Sequence, residues 1–230
     1  MEELSLTPSA LAPYIQHTKI QADATRHEME RHINEAIEHG FNAAMVSGSW
    51  VPLAHSILRG TNVTVASALD FPTVGVMTSI GKAAEAAELV RQGAAEIDIG
   101  VQIGWLKSGM YKEFESDIAG VVKAAGVPIK VMLELPLLTE KEREIAVELS
   151  ISAGASYLKN ASSGQVETAN PASIRYLVER AKGRAKVKAS GSIKSLTQAQ
   201  ELIAAGAELL GTSAGIEIIS GTSTAATKSY

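Results

Sequence analysis

The 230-residue chain has no cysteine, which excludes disulfides and thiolate metal sites. It has little aromatic character, 4% of residues, beside abundant Ala and Gly, as expected where helices pack closely on a sheet. It lacks an excess of positive charge: 21 Lys and Arg face 25 Asp and Glu, so nothing supports nucleic acid or an anionic membrane surface as a partner. No apolar run reaches the roughly 18 residues that a membrane span needs. The first residues, Met1-Glu-Glu-Leu-Ser5, lack the basic start of a signal peptide. These absences lead us to expect a soluble, cytoplasmic protein.

What is present is alternation. Short apolar runs at 14–17, 43–47, 63–69, 96–101, 129–135, 156–160, 186–190 and 208–212 read as strands. Between them, amphipathic stretches at 25–39, 51–58, 80–91, 112–125, 140–153, 171–181 and 196–205 read as helices. Strands alternating with helices imply βαβ units and a parallel sheet. Eight such strands imply a closed (β/α)8 TIM barrel, a single domain at roughly 250 residues. We expect the barrel to span 1–219, with 220–230, rich in Ser, Thr and Ala, as a mobile tail.

A concealed repeat supports the barrel. Gly40-Phe-Asn-Ala-Ala-Met45, Gly93-Ala-Ala-Glu-Ile-Asp98, Gly154-Ala-Ser-Tyr-Leu-Lys159 and Gly206-Ala-Glu-Leu-Leu-Gly211 share one layout: a helix ends at glycine and a strand follows. By this count they precede strands two, four, six and eight. Alternate strands supply the side chains of one interior layer, so Met45, Asp98, Lys159 and Gly211 should point inward at one height. Lys188, on strand seven, should enter from the adjacent layer. Buried strands seldom carry lysine, because an ammonium is costly to desolvate, and two close together oppose each other's protonation. A lysine frustrated in this way can be a free amine at neutral pH and attack a carbonyl. The blander alternatives are lysines snorkelling at strand ends, or a single Asp–Lys pair plugging the barrel, for which the second lysine would be superfluous.

At this point the chain resembles the deoxyribose-phosphate aldolase family, class I aldolases on a TIM barrel. The resemblance rests on His17-Thr18, Val51-Pro-Leu-Ala54, Glu96-Ile-Asp98, Ile103-Gly-Trp-Leu-Lys-Ser-Gly109, Leu137-Leu-Thr139, Leu158-Lys159, Val187-Lys-Ala-Ser-Gly191 and Gly211-Thr-Ser213. It implies that Lys159 forms the Schiff base, that Lys188 lowers its pKa from about 10.4 toward about 7–8, and that Asp98 helps move protons through a bound water. It gives the terminal Tyr230 a proton-transfer role. It implies small aldehyde and sugar-phosphate substrates, with no metal or other cofactor, because the iminium performs the activation a Lewis acid would otherwise supply. A homo-oligomer is left open. Thr18, Ser162, Gly191, Ser192, Ser213 and Gly215 are the candidate substrate-binding residues; glycine-rich loops after strands seven and eight hold phosphate in such barrels, although plain turn chemistry accounts for the same composition.

The departures from the family pattern are specific. Gln16 replaces the Asp before His-Thr and cannot ionise, Gln102 replaces an Asn, and Met45 replaces a Cys. The segment after Lys159 carries one extra residue, Ser192 replaces a Gly, and Ala214 replaces a Ser. They motivate a second reading, a Schiff-base aldolase with a changed acceptor, phosphorylated or not; a third is a non-catalytic sugar-phosphate-binding barrel. The remaining signals are weak. The five histidines show no metal-ligand spacing, and His27, His32 and His39 are expected to be solvated on their helix. Glu134 either lines the barrel mouth or meets solvent. Trp105 and Lys107 read as packing or surface.

Overall fold

The computed structural model describes residues 6–221. Eight parallel strands close into one barrel in sequence order: β1 (Ile15–Lys19), β2 (Ala43–Ser47), β3 (Thr64–Leu69), β4 (Glu96–Gly100), β5 (Ile129–Met132), β6 (Tyr157–Lys159), β7 (Lys186–Ser190) and β8 (Leu209–Thr212). The helices are α1 (Pro8–Leu11), α2 (Arg26–Glu38), α3 (Val51–Leu58), α4 (Ser79–Gln92), α5 (Ile103–Lys107), α6 (Tyr111–Ala125), α7 (Glu140–Ser152), α8 (Pro171–Ala181), α9 (Leu196–Ala204) and α10 (Gly215–Ser220). The single (β/α)8 barrel expected from the alternation is the fold.

The long helices start where the sequence offers a cap. Thr25 and Glu28 make a reciprocal capping box on α2, and Thr139 and Glu142 repeat it on α7. Asn170 caps α8, with Pro171 in its first turn. The four repeat glycines, Gly40, Gly93, Gly154 and Gly206, all have positive φ. That turn at a helix end aims each following strand into the barrel, and it is why the repeat is visible in the sequence.

Three short helices, α1, α5 and α10, escaped the sequence reading, because four to six residues are too few to show a period. Strand β5 ends earlier than expected: Glu134 adopts φ 51° and ψ 51°, which breaks the extended chain. The ladder nevertheless continues past it, with Leu133 N–H donating to Lys159 O and Leu135 N–H to Asn160 O. Ser220, expected in the tail, ends α10. Gly221 caps that helix, and residues 222–230, Tyr230 included, lie outside the described residues.

Outward strand residues such as Ile97, Ile99, Val131, Leu158, Val187 and Leu210 pack against Met29, Ile33, Leu89, Phe114, Ile118 and Leu177 of the helices. This layer between barrel and helices is the main hydrophobic core. The barrel interior is different and lopsided. Its β2–β3 side is small and apolar, with Ala43, Met45 and Ala66 backed by Ile20 and Ala68. Its β4–β7 side carries Glu96, Asp98, Lys130, Lys159 and Lys188.

A further buried lysine lies outside the barrel. Lys82 of α4, fully buried, donates to Asp117 Oδ2 and Gly100 O at 2.8 Å each, and its Nζ is 3.1 Å from Asp70 Oδ2. Asp70 in turn accepts the backbone N–H groups of Gly75, Val76 and Met77. This cluster ties the β3–α4 loop to β4 and α6. Among the described residues no helix is long and apolar enough to cross a membrane.

Candidate active site

Strand parity decides which side chains meet. Side chains alternate across a strand, so Asp98 points inward while its neighbours Ile97 and Ile99 enter the outer core. Register then aligns Asp98 with Lys130, Met132 with Lys159, and Lys159 with Lys188. Asp98 Oδ2 accepts from Lys188 Nζ at 2.7 Å and from Lys159 Nζ at 3.0 Å. Lys130 Nζ lies 3.4 Å from Asp98 Oδ1 and 2.6 Å from Glu96. Gln16 closes the circuit: its amide NH2 donates to Glu96 at 2.7 Å, and its Oε1 accepts from Lys188 at 2.7 Å.

The ring holds three lysines and two carboxylates. One ammonium too many in a buried site favours the loss of a proton. Burial pushes Lys188 down to about 7 against the pull of Asp98, and Lys159 and Lys130 add to the depression. Burial would raise the carboxyl of Asp98, but Lys188, Lys159 and Lys130 together hold it below the usual carboxylate range. Lys188 is 1% exposed and Lys159 5%; Lys159 is therefore the amine nearer the open end.

Both lysines line a chamber with Asp98, Thr18, Met45, Ser162 and Gly211. Gly211 is there for room: a Cβ on it would lie 3.0 Å from Lys188 Cε and from Ser190 Oγ. Ser162 is held by its N–H, which donates to Glu134 Oε1 at 2.7 Å. Glu134 is thus buried beside the chamber, and burial pushes its carboxyl up despite the bonds from Ser162.

Gly211 also borders a second recess lined by Gly164, Gly191, Ser192, Lys194, Thr212 and Ser213. Its walls leave little choice of residue. A Cβ at Gly191 would stand 2.0 Å from Glu167 O, and one at Gly164 2.0 Å from Ser192 Oγ. The Asn160 side chain sets the β7 end of this recess: its Nδ2 donates to Ser190 O at 3.0 Å, and its Oδ1 accepts from Ser190 N–H at 2.9 Å. Thr18, Ser162, Gly191, Ser192 and Ser213 therefore gather around two adjoining spaces at the C-terminal face of the barrel. Gly215 is placed elsewhere, packed against His17, Phe41 and Ile15.

Lys130 and Glu96 complete the site, although sequence reasoning gave them no role there. A lysine in an apolar run, Ile129-Lys-Val-Met132, two residues from an inward Met, was the available signal. The expectation for His32 is corrected. It is buried, because α2 turns it onto the outward-facing His17, with ring centroids 4.3 Å apart. His27, His32 and the C-cap His39 do not share one face of α2, and charged sequence neighbours did not reveal which one turns inward. The histidines do form a candidate metal group: His17, His32 and Glu35 place donor atoms within 4.8 Å of one another. Spacing along one element could not show this, since His17 comes from β1.

No protein-family model matches the chain. It is 43% identical over 216 residues to a deoxyribose-phosphate aldolase of Methanothermobacter thermautotrophicus, covering 94% of this chain and 96% of that protein. It is 41% identical over 209 residues to one of Thermosynechococcus vestitus, covering 91% and 95%. Among solved structures, an aldolase named QR15 superposes with a TM-score of 0.86 at 34% identity, covering 91% of this chain and 94% of that one. The deoxyribose phosphate aldolase of Aeropyrum pernix, described as a unique tetramer, superposes at 0.85 with 28% identity, covering 93% and 91%.

Proposed function

For a chain that belongs to the deoxyribose-phosphate aldolase family, we propose reversible cleavage of 2-deoxy-D-ribose 5-phosphate to acetaldehyde and D-glyceraldehyde 3-phosphate, with Lys159 as the covalent amine. The observation that carries the assignment of Lys159 is the shared oxygen of Asp98, which holds a more open lysine beside a more buried one that sheds its proton near pH 7.

In the cleavage direction, Lys159 Nζ attacks C1 of the open-chain sugar, and the carbinolamine loses water to give an iminium. Removal of the C3 hydroxyl proton then breaks the C2–C3 bond. Its electron pair flows into the iminium, leaving an enamine on Lys159 and releasing glyceraldehyde 3-phosphate. Protonation of the enamine at C2 and hydrolysis release acetaldehyde and restore the amine. Lys188 and Asp98 supply and receive protons at Lys159, since all three meet at one oxygen. The recess at Gly191, Ser192 and Ser213 takes the phosphate, with Lys194 in its lining as a cation. Thr18 and Ser162 face the reacting carbons. The chemistry uses no metal ion. A proton-transfer role for Tyr230 belongs to this proposal through the resemblance alone.

One observation favours the changed-acceptor reading as a second possibility. A chamber of about 640 Å³ adjoins the lysine chamber and is lined by Ile20, Trp50, Phe71, Pro72 and Val166. The two spaces share Ile20, Ala68 and Phe71, so an apolar aldehyde seated there would reach the enamine. Product analysis with phosphorylated and free aldehydes separates the two readings.

The covalent step is tested by borohydride reduction with acetaldehyde. One ethyl group should appear on Lys159, and Lys159→Leu should take up none. An adduct on Lys188, or none at all, would overturn the assignment.

A further inference from the structure

We propose that His17, His32 and Glu35 form a binding site for one zinc-type dication on the outer side of β1, separate from the reacting lysines. The separation follows from parity. Gln16 and Thr18 face the barrel interior, so His17 between them faces α2. His32 and Glu35 are three residues apart on α2 and so share one helix face.

The donor set suits the ion. Two imidazoles and a carboxylate are the three protein ligands of many open zinc sites. Ligand atoms about 2.0–2.2 Å from a tetrahedral zinc stand roughly 3.3 Å apart. His17 Nε2 and Glu35 Oε2 are already 3.1 Å apart. The third donor lies within 4.8 Å, so one side-chain rotation closes the set. That rotation turns His32 out of its stack with His17, where the ring planes now differ by 25°.

The observation pointing to a ligand is an orphaned lone pair. The His32 ring is buried and stacks on His17. Its Nε2 is buried and has no partner. An unpaired buried acceptor costs free energy, and a cation would supply the missing partner.

There is also a way in. A cavity of about 260 Å³ opens beside the three residues and leaves room for water at a fourth coordination position. The cations on its rim already face carboxylates: Lys19 lies 3.9 Å from Glu28, and Arg31 lies 3.7 Å from Glu35 Oε1, leaving Oε2 toward His17. A bound ion would clamp α2 to β1. Its effect is on stability, because none of the three ligands lines the lysine chamber.

The test uses the full-length, tag-free protein, chelated and then titrated with Zn²⁺ by calorimetry, and with Co²⁺ followed by its visible absorption. One ion per chain and a melting temperature that rises with free Zn²⁺ are expected. Glu35→Gln and His32→Gln should each weaken Zn²⁺ binding by more than about 10-fold, since even the loss of an outer partner costs about 10–100-fold. His27→Gln, at an exposed position on the same helix, should leave it unchanged. Glu35 is partly exposed, so Glu35→Gln decides the matter should His32→Gln fail to fold. Absence of Zn²⁺ binding, or equal affinity in the wild type and Glu35→Gln, would overturn the proposal.

Discussion

Lys159 and Lys188 stand side by side on β6 and β7 and donate to the same oxygen, Asp98 Oδ2, at 3.0 and 2.7 Å. Two ammonium groups on one carboxylate oxygen are held there only by the closed barrel around them. Lys188 relieves the excess by releasing its proton near pH 7.

The first prediction concerns pH. The folded Lys188 is depressed from 10.5 to about 7, so the folded protein sheds this proton as pH rises through 7, while the unfolded chain keeps it to about 10.4. Between those values the unfolded state binds more protons, and stability from this group rises with pH. Activity that needs neutral Lys188 should rise over the same lower limb. Gln16→Glu puts a third carboxylate in the ring, in place of the amide that now accepts from Lys188. The added negative charge favours the ammonium and should move the limb up by roughly 1–3 pH units. A kcat/KM profile against pH reads this directly, and an unmoved limb would remove Lys188 from the rate-limiting proton transfer.

Gly211→Ala tests the packing of the ring. The new methyl would stand 3.0 Å from Lys188 Cε, and Lys188 Nζ is pinned by Gln16 and Asp98. Overpacking of this kind costs about 1–3 kcal/mol. We expect the unfolding free energy from urea titration to fall by that amount, together with a loss of turnover, because the displaced side chain is the one proposed to exchange protons with Lys159. Unchanged turnover in a destabilised variant would mean that the position of Lys188 matters less than its charge.

Lys82→Met should be the most destabilising of these changes, although it lies outside the chamber. It leaves Asp70 and Asp117 buried without their cation, a loss of about 3–5 kcal/mol. Adding Asp117→Leu should recover part of it, since removing both partners costs less than removing one. Urea unfolding of the single and double variants measures the difference.

Met45 tests tolerance of aldehydes. It lines the chamber with Lys159 and is 3% exposed. Unsaturated aldehydes formed from acetaldehyde capture thiolates, and a thioether has no acidic S–H. Residual activity in concentrated acetaldehyde should therefore fall faster in Met45→Cys than in the wild type. Equal rates would point to lysine modification or unfolding as the limit.

How much was legible in advance follows period and length. Strands β2 and β7 and helices α3 and α8 have the bounds read from the sequence, because their apolar pattern and flanking Gly, Pro or Asn coincide. The glycine repeat placed Asp98 and Lys159 in the interior, since a fixed offset from a helix-ending glycine fixes parity. Short elements were lost: α1, α5 and α10 span too few residues for a period. Glu134 was left between two readings because its left-handed backbone, which turns the carboxylate onto Ser162, has no signature in residue type.

The sequence by itself determined the barrel, the inward parity of Asp98, Lys159 and Lys188, and the glycines that make room beside them, because these depend on local periodicity and chain turns. Only the tertiary structure decided the partners. Barrel closure brings Gln16 of β1 onto Lys188 of β7, a contact 172 residues apart in the chain. Register between β4 and β5 sets Lys130 against Glu96 and Asp98. Packing of α2 on β1 turns His32 and Glu35 onto His17. Which lysine gives up its proton follows from burial and from the sum of these distant charges, and neither quantity exists until the barrel is closed.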